Sequence, residues 1–183
     1  MSLQMDVSIG EGLDKYSILE IKEKYISSPE KLAHIRKEKN AIFPILSPYL
    51  DQCPLLYKLL EKVNTKIWFL VDDTRDKDVS YRTIMKENDA RFRVKRKIND
   101  ICNSYLKEQK NFHTNPYIVY IDDSVPYSEI SKEDICEVSM YYDALYIYTP
   151  CPEQWISLQE VDPDIYVFLA EHPPEGCEWK LAL

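Results

Sequence analysis

Two adjacent carboxylates, Asp122 and Asp123, have the residue type and position best suited to chemistry in this sequence. They directly follow residues 117–121, a short run of strand-forming side chains, and parallel sheets bind ligands at the carboxyl ends of their strands. The pair could hold Mg²⁺, or one carboxylate could act as a general base. The order Asp-Asp-Ser-Val differs from the Asp-x-Asp pattern of aspartate-nucleophile phosphatases and of many metal-dependent sugar transferases. We therefore favour a solvated loop that caps the next helix.

A run of basic residues is the second candidate for chemistry. Its members are Arg91, Arg93, Lys95, Arg96 and Lys97. On a helix these side chains point in several directions, which favours a solvated helix surface. Two other hypotheses stay open. The run could dock the acidic segment 113–183 of the same chain, or Arg91, Arg93, Lys95 and Arg96 could bind an anion such as a nucleotide-sugar diphosphate.

Several common sites lack the residues that they need. The sequence has only three glycines, so a P-loop and a dinucleotide-binding fingerprint are both missing. Gly10 and Gly12 are interpreted as a tight turn into the first helix. His34, His113 and His172 are far apart and lack cysteine or acidic partners at ligand spacing, so no structural zinc site is predicted.

The cysteines and the hydropathy pattern predict a cytoplasmic protein. The five cysteines are an odd number without close spacing, which is typical of reduced thiols. Cys151 follows a strand-forming run near a possible helix start, where a thiol can be reactive, but a half-buried loop thiol is favoured. No apolar run approaches the roughly 18 residues of a membrane span. No signal peptide is recognised at the start of the sequence.

Charge divides the chain near residue 113. Residues 1–112 contain 21 Lys and Arg against 17 Asp and Glu, a net charge of +4. Residues 113–183 contain 2 basic residues against 14 acidic ones, a net charge of −12. The second segment would repel nucleic acid and anionic membrane, so neither is predicted as a partner. We predict two domains, a helical module over 1–112 and a small acidic α/β unit over 113–183.

The first segment has the periodicity of four helices. Ser27, with Pro29 and Glu30 after it, is the predicted start of the second helix, and Pro44 and Pro48 should kink or end it. A third helix follows Pro54 and should form a hairpin with a fourth helix over about residues 80–106. The predicted inward side chains of this fourth helix are Ile84, Phe92, Ile98, Ile101, Cys102 and Tyr105.

The second segment has three strand-forming runs, residues 117–121, 144–148 and 165–169, with predicted helices between them. One of these helices should begin at residues 131–134. Runs that are apolar on both faces and alternate with helices predict a mostly parallel sheet, and an α+β fold for the whole chain. The tyrosines of this segment could stack on sugar rings, but core positions or cross-strand pairs are favoured. They are Tyr120, Tyr141, Tyr142, Tyr146, Tyr148 and Tyr166.

Three blocks of the first segment carry a resemblance to a known family. Residues 7–22, 63–78 and 88–100 read VSIGEGLDKYSILEIK, VNTKIWFLVDDTRDKD and NDARFRVKRKIND. They resemble a functionally uncharacterised family of small helical proteins from bacteria and some viruses, often encoded beside or fused to glycosyltransferases. The chain departs from that family at Asp72-Asp73, where Glu-Asp is expected. The resemblance covers residues 7–112, implies a role in glycan assembly, and carries over no catalytic residues.

The favoured function is a non-catalytic interaction or accessory module with a protein partner, a glycosyltransferase in the context that the resemblance implies. No cofactor is predicted for this function. The alternative is a small sugar- or nucleotide-handling transferase or hydrolase that uses Asp122 and Asp123, with Mg²⁺ as its cofactor and the basic helix residues as helpers. A helical hairpin can also complete its core against a second copy, so the oligomeric state is left open.

Overall fold

The computed structural model describes residues 5–73, 80–109, 115–121 and 131–177. The chain divides into two compact units, residues 1–109 and 110–183, which are called the helical unit and the acidic unit below. Helices form the first unit and a small parallel sheet lies in the second. The predicted α+β fold class is confirmed.

Four helices form the described part of the helical unit: α1 (Ile9–Tyr25), α2 (Pro29–Gln52), α3 (Pro54–Asp73) and α4 (Tyr81–Ile101). Helix α1 packs against the other three, and α3 packs against α4 as the predicted hairpin requires. The core contains fully buried apolar side chains from α1, α3 and α4. They include Leu13, Leu56, Leu59, Leu60, Val63, Val94 and Ile98.

Helix α2 departs from the sequence prediction in two ways. Its N-cap is Ser28 rather than Ser27, and the Ser28 side chain accepts from the backbone N–H of Lys31. The helix also continues through Pro44 and Pro48 to Gln52. Packing against α1 supports this part of the helix, because Leu46 is buried there and lies against Gly12.

Helix α4 ends at Ile101, earlier than predicted, because Asn103 adopts a left-handed conformation with φ of 50°. The N–H of Ser104 donates to the carbonyl of Asn99, and the N–H of Asn103 donates to that of Asp100, which is the bond pattern of a Schellman motif. The chain leaves the helix axis at this point. Tyr105, predicted to face inward, is therefore 98% exposed.

The acidic unit contains three parallel strands, β1 (Pro116–Tyr120), β2 (Ala144–Thr149) and β3 (Ile165–Leu169), in the order β1-β2-β3. Helix α5 (Lys132–Ser139) connects the first two, and two short 3₁₀ turns, Pro152–Gln154 and Ile156–Leu158, precede the third. The predicted start of α5 is confirmed, because Ser131 and Asp134 form a capping box.

Strand order decides which face of this sheet is covered. Connections between parallel strands are almost always right-handed, and for the order β1-β2-β3 this hand places both connections on the same face. The buried side chains agree, since Val119, Leu145 and Ile147 of the strands are fully buried together with Ile135 of α5 and Leu158 of the second 3₁₀ turn. The side chains that alternate with these strand residues occupy the opposite face.

Candidate functional site

The predicted acidic pair lies outside the described residues, so the structure places neither Asp122 nor Asp123. The strand that precedes them is described. It is β1, which ends at Tyr120 and belongs to a parallel sheet, as the prediction assumed. Their predicted role as metal ligands or general base stays a prediction.

The basic run does not form a solvated helix surface. Arg93, Lys95 and Lys97 are 7%, 8% and 1% exposed, and Arg91 and Arg96 are half-buried. The interpretation favoured from sequence is therefore wrong for three of the five residues. Binding of an external anion by Arg91, Arg93, Lys95 and Arg96 stays a prediction.

Lys95 forms ion pairs inside the helical unit. Its ammonium contacts Glu11 of α1 and lies 2.9 Å from Oε2 of Glu108, beyond the end of α4. Burial opposes the charge of Lys95, but the bonds to Glu11 and Glu108 more than offset it, so its pKa is raised. Through these ion pairs Lys95 links α4 to the start of α1 and to the segment after α4.

The start of α1 lies directly on α4. A Cβ at Gly10 would lie 2.6 Å from the backbone oxygen of Lys95, so the two helices approach as closely as glycine allows. Asn99 Oδ1 accepts from the N–H of Gly10 at 2.7 Å, and Ser104 Oγ accepts from that of Ile9 at 3.1 Å. Gly10 lies inside α1 rather than in the predicted turn before it. Its role is helix packing.

A buried polar network joins α1 to α3. The Nδ2 group of Asn64 donates to Asp14 Oδ1 at 2.8 Å and to Ser17 Oγ at 2.7 Å, and Ser17 Oγ donates to the carbonyl of Asp14. Asn64 is 4% exposed, and its Oδ1 accepts no hydrogen bond within the described chain. Sequence reasoning missed Asn64 because it occupies a position in the apolar stripe of α3.

A cavity of about 230 Å³ lies beside this network, between α1, α3 and α4. Arg91 is the member of the predicted anion site that lines it. All of the lining residues fall within the three blocks for which a family resemblance is predicted. They are Ile18, Ile21, Asn64, Ile67, Trp68, Val71, Asp72 and Arg91.

The second notable surface is the face of the sheet opposite the fully buried side chains of Val119, Leu145 and Ile147, called the aromatic face. It contains two rows of side chains in register across the three strands, Ile118–Tyr146–Tyr166 and Tyr120–Tyr148–Phe168. Ring centroids lie 5.3 Å apart for Tyr146 and Tyr166 and 5.1 Å apart for Tyr148 and Phe168, and both pairs are stacked. The cross-strand pairs favoured from sequence are present, yet Tyr166 and Phe168 remain 39% and 40% exposed.

Two thiols that are distant in sequence meet in the helical unit. The Sγ atoms of Cys53 and Cys102 are 3.8 Å apart, and both residues are buried. Burial and the neighbouring Cys102 raise the pKa of Cys53 to about 12. Cys151, the thiol singled out from sequence, is half-buried as expected.

A scan against protein-family models finds no match, and searches of curated proteins and of solved structures find none either. The resemblance of residues 7–112 therefore stays a prediction. Within the residues that the structure describes, no cluster of three or more His, Cys, Asp or Glu is placed to hold a metal ion. None of the helices in this part of the chain is both long and apolar enough to cross a bilayer.

Proposed function

We propose that this chain is a non-catalytic interaction module whose aromatic face binds a protein partner. The carrying observation is a parallel sheet with connections on one face and aromatic side chains on the other. Parallel sheets are normally covered on both faces. A partner surface that packs on the aromatic face would supply the second layer, which the described part of the acidic unit does not contain.

The composition of the face favours protein binding. Tyrosine and phenylalanine provide large contact areas at little entropic cost, and aromatic anchors carry much of the affinity in protein interfaces. The stacked pairs hold the rings of Tyr146, Tyr148, Tyr166 and Phe168 in fixed positions. A surface ordered in this way loses little conformational freedom when it binds.

Charge indicates which kind of partner fits. Residues 113–183 carry 14 acidic and 2 basic side chains, so an apolar patch bordered by Lys and Arg would be complementary. A second copy would bring the same negative charge to the contact and is disfavoured. The resemblance of residues 7–112 adds a context, and we propose a cytoplasmic glycosyltransferase as the partner.

A photo-crosslinking experiment in cells tests the proposal. A benzoyl-phenylalanine in place of Phe168 should form a covalent adduct with a basic-surfaced protein. The same group in place of Ile156, which is exposed but lies outside the aromatic face, should not. The cross-linked protein is then purified and its affinity for the full chain measured at several salt concentrations. Phe168→Ser and Tyr166→Ser should each weaken binding about tenfold, and Ile156→Ser should leave it unchanged.

Several outcomes would contradict the proposal. An adduct only with a second copy would indicate self-association, and an adduct only with residues 1–109 of the same chain would indicate docking in cis. A partner that binds without salt dependence would contradict the charge argument. No adduct at Phe168, or equal losses of affinity for Phe168→Ser and Ile156→Ser, would exclude the aromatic face as the binding surface.

A further inference from the structure

The two buried thiols of the helical unit flank one of its helical hairpins. Cys53 directly precedes α3 and Cys102 directly follows α4, so the pair brackets the α3–α4 hairpin. Their Sγ atoms are 3.8 Å apart, although 49 positions separate the two residues in sequence. A single buried cysteine is usually a small apolar core residue. Contact between two of them is a different case, because it brings together both groups that a disulfide needs.

Hydrogen bonds direct the two thiols. The Cys102 thiol donates to Cys53 Sγ, and the Cys53 thiol donates to the carbonyl of Tyr49 at 3.1 Å. A disulfide bond is about 2.05 Å long, so the sulfurs would have to approach by about 1.8 Å. Cys53 is the C-cap of α2 and Cys102 is the C-cap of α4. Helix ends fray more readily than helix interiors, so this approach does not require a packed helix interior to shift.

Exposure indicates which thiol an oxidant meets first. Cys102 is 8% exposed and Cys53 is 4% exposed. Burial raises the pKa of Cys53 to about 12 and also raises the pKa of Cys102, so both are protonated at neutral pH and the first step is slow. Hydrogen peroxide is little larger than water, so it can reach a thiol that bulkier reagents cannot. Cys102 is therefore the thiol that is oxidised first, and Cys53 is the thiol that resolves the product.

We propose that Cys53 and Cys102 form a reversible disulfide in response to a hydroperoxide. Cys102 Sγ attacks one peroxide oxygen, so an S–O bond forms, the O–O bond breaks, and the other oxygen leaves as water with the thiol proton. Cys53 Sγ then attacks Cys102 Sγ. The S–S bond forms, the S–O bond breaks, and the hydroxyl group leaves as water with the Cys53 proton. The two sulfurs lose two electrons, which the peroxide gains.

The bond closes the α3–α4 hairpin into a covalent ring. A cross-link between distant residues reduces the conformational freedom of the unfolded chain, which stabilises the folded state. The thermal unfolding midpoint of the helical unit should rise by about 5–10 °C on oxidation. The pair lies in the helical unit, so this modification is independent of the proposed function of the aromatic face.

Peptide mapping of the oxidised full chain tests the proposal. The native protein is treated with hydrogen peroxide in the presence of a metal chelator, and the remaining thiols are alkylated. Mass spectrometry under non-reducing conditions should then find the Cys53 and Cys102 peptides joined, with the mass of two hydrogen atoms lost. Reduction with a phosphine should separate the peptides and return the unfolding midpoint to that of the untreated protein.

Variants distinguish the pair from thiols that are merely oxidised. Cys53→Ala lacks the resolving thiol, so peroxide should convert Cys102 to the sulfinic acid without a rise in the unfolding midpoint. Cys102→Ala is the second variant, and its Cys53 should remain a thiol under the same treatment. Cys151→Ala, in the acidic unit, is the matched control and should still form the Cys53–Cys102 bond.

Four results would overturn the proposal. They are a different cysteine pairing, a Cys53–Cys102 bond that forms only in denaturant, conversion of Cys102 to the sulfinic acid in the parent as fast as in Cys53→Ala, and an oxidised protein whose unfolding midpoint does not rise.

Discussion

On α4 of the helical unit charged side chains are buried, whereas on β3 of the acidic unit aromatic side chains are exposed. Glu87, Arg93, Lys95 and Lys97 of α4 are all buried, and Tyr166 and Phe168 of β3 are exposed. The acidic unit also buries Asp162, which accepts from the N–H of Asp164 just before β3. This difference shows that the residue types of a segment do not by themselves identify the binding surface. The basic run contributes ion pairs to the fold, and residues typical of a core form the candidate interface.

The largest expected effect is a difference in reactivity between one buried thiol of the helical unit and one half-buried thiol of the acidic unit. Cys151 is half-buried, whereas burial raises the pKa of Cys53 in the helical unit to about 12. Because the thiolate is the reactive form, Cys53 should react with a disulfide reagent about a thousandfold more slowly in the native protein than in denaturant, and more slowly than the half-buried Cys151. Mass spectrometry of timed reactions measures both rates. In denaturant the five cysteines should react alike, and a fast Cys53 in the native state would contradict the burial described.

One methyl group added where α1 and α4 approach closely should destabilise the protein. Gly10→Ala places a Cβ against the Lys95 backbone and should cost about 1–3 kcal/mol in the free energy of unfolding, because helix backbones move little. Gly12→Ala is the matched control, since its Cβ meets only a side-chain methyl of Leu46 at 2.8 Å. Urea unfolding measures both variants. Equal losses of unfolding free energy in the two variants would show that α1 and α4 easily move apart to make room for the methyl group.

Buried and exposed ion pairs should differ in how much they contribute to the free energy of unfolding. Lys95→Met removes the buried ammonium that Glu11 and Glu108 share and should cost about 1–3 kcal/mol. Lys107→Met removes an exposed pair with Asp100 and should cost less than about 0.5 kcal/mol. Thermal unfolding at two salt concentrations measures the stability of both variants. Should the two variants be equally stable, the basic run would be a surface feature after all.

The aromatic face should contribute little to the stability of the isolated protein. Phe168→Thr keeps a strand-forming residue at an exposed position and should cost less than about 1 kcal/mol. Leu145→Ala, on the covered face, should cost about 2–5 kcal/mol. Urea unfolding provides the comparison. Equal costs would mean that the aromatic face is core rather than surface.

The smallest expected effect is a pH dependence at the α1–α3 contact. Burial and the neighbouring Glu20 raise the pKa of Glu61, so the folded state holds this proton more tightly than the unfolded state. Stability from this group is present at low pH and is lost as pH rises through the raised pKa. Glu61→Gln should therefore stabilise the protein near neutral pH by less than about 1 kcal/mol. Unfolding midpoints between pH 4 and pH 7 test the sign, and an unchanged difference between variant and parent would refute it.

Local signals in the sequence predicted much of the fold. The change of hydrophobic period separates helices from strands, and Ser131 with Asp134 marks the start of α5. The end of α4 was missed because the left-handed conformation of Asn103 depends on bonds back to Asn99 and Asp100. The apolar residues around Asn103 continue the helical pattern, so periodicity alone does not reveal this end.

The candidate sites were less predictable because they depend on tertiary contacts. The pattern Arg91-Phe-Arg-Val-Lys95 suggests a charged surface, and only the packing of Gly10 and Asn99 shows that α1 covers it. Asn64 has no distinctive neighbours in sequence. The aromatic residues were predicted as candidates, but strand order and crossover direction decide which of them lie on the aromatic face.

The short sheet has a consequence for colloidal behaviour. In the described part of the acidic unit β1 and β3 each pair on one side only, with β2 between them, so each has an outer edge able to accept another strand. Repulsion among the 14 acidic side chains of residues 113–183 opposes such pairing between molecules. Acidification to below about pH 4, where most carboxylates become protonated, removes that repulsion. Negative charge in this unit thus serves as protection against edge-to-edge aggregation.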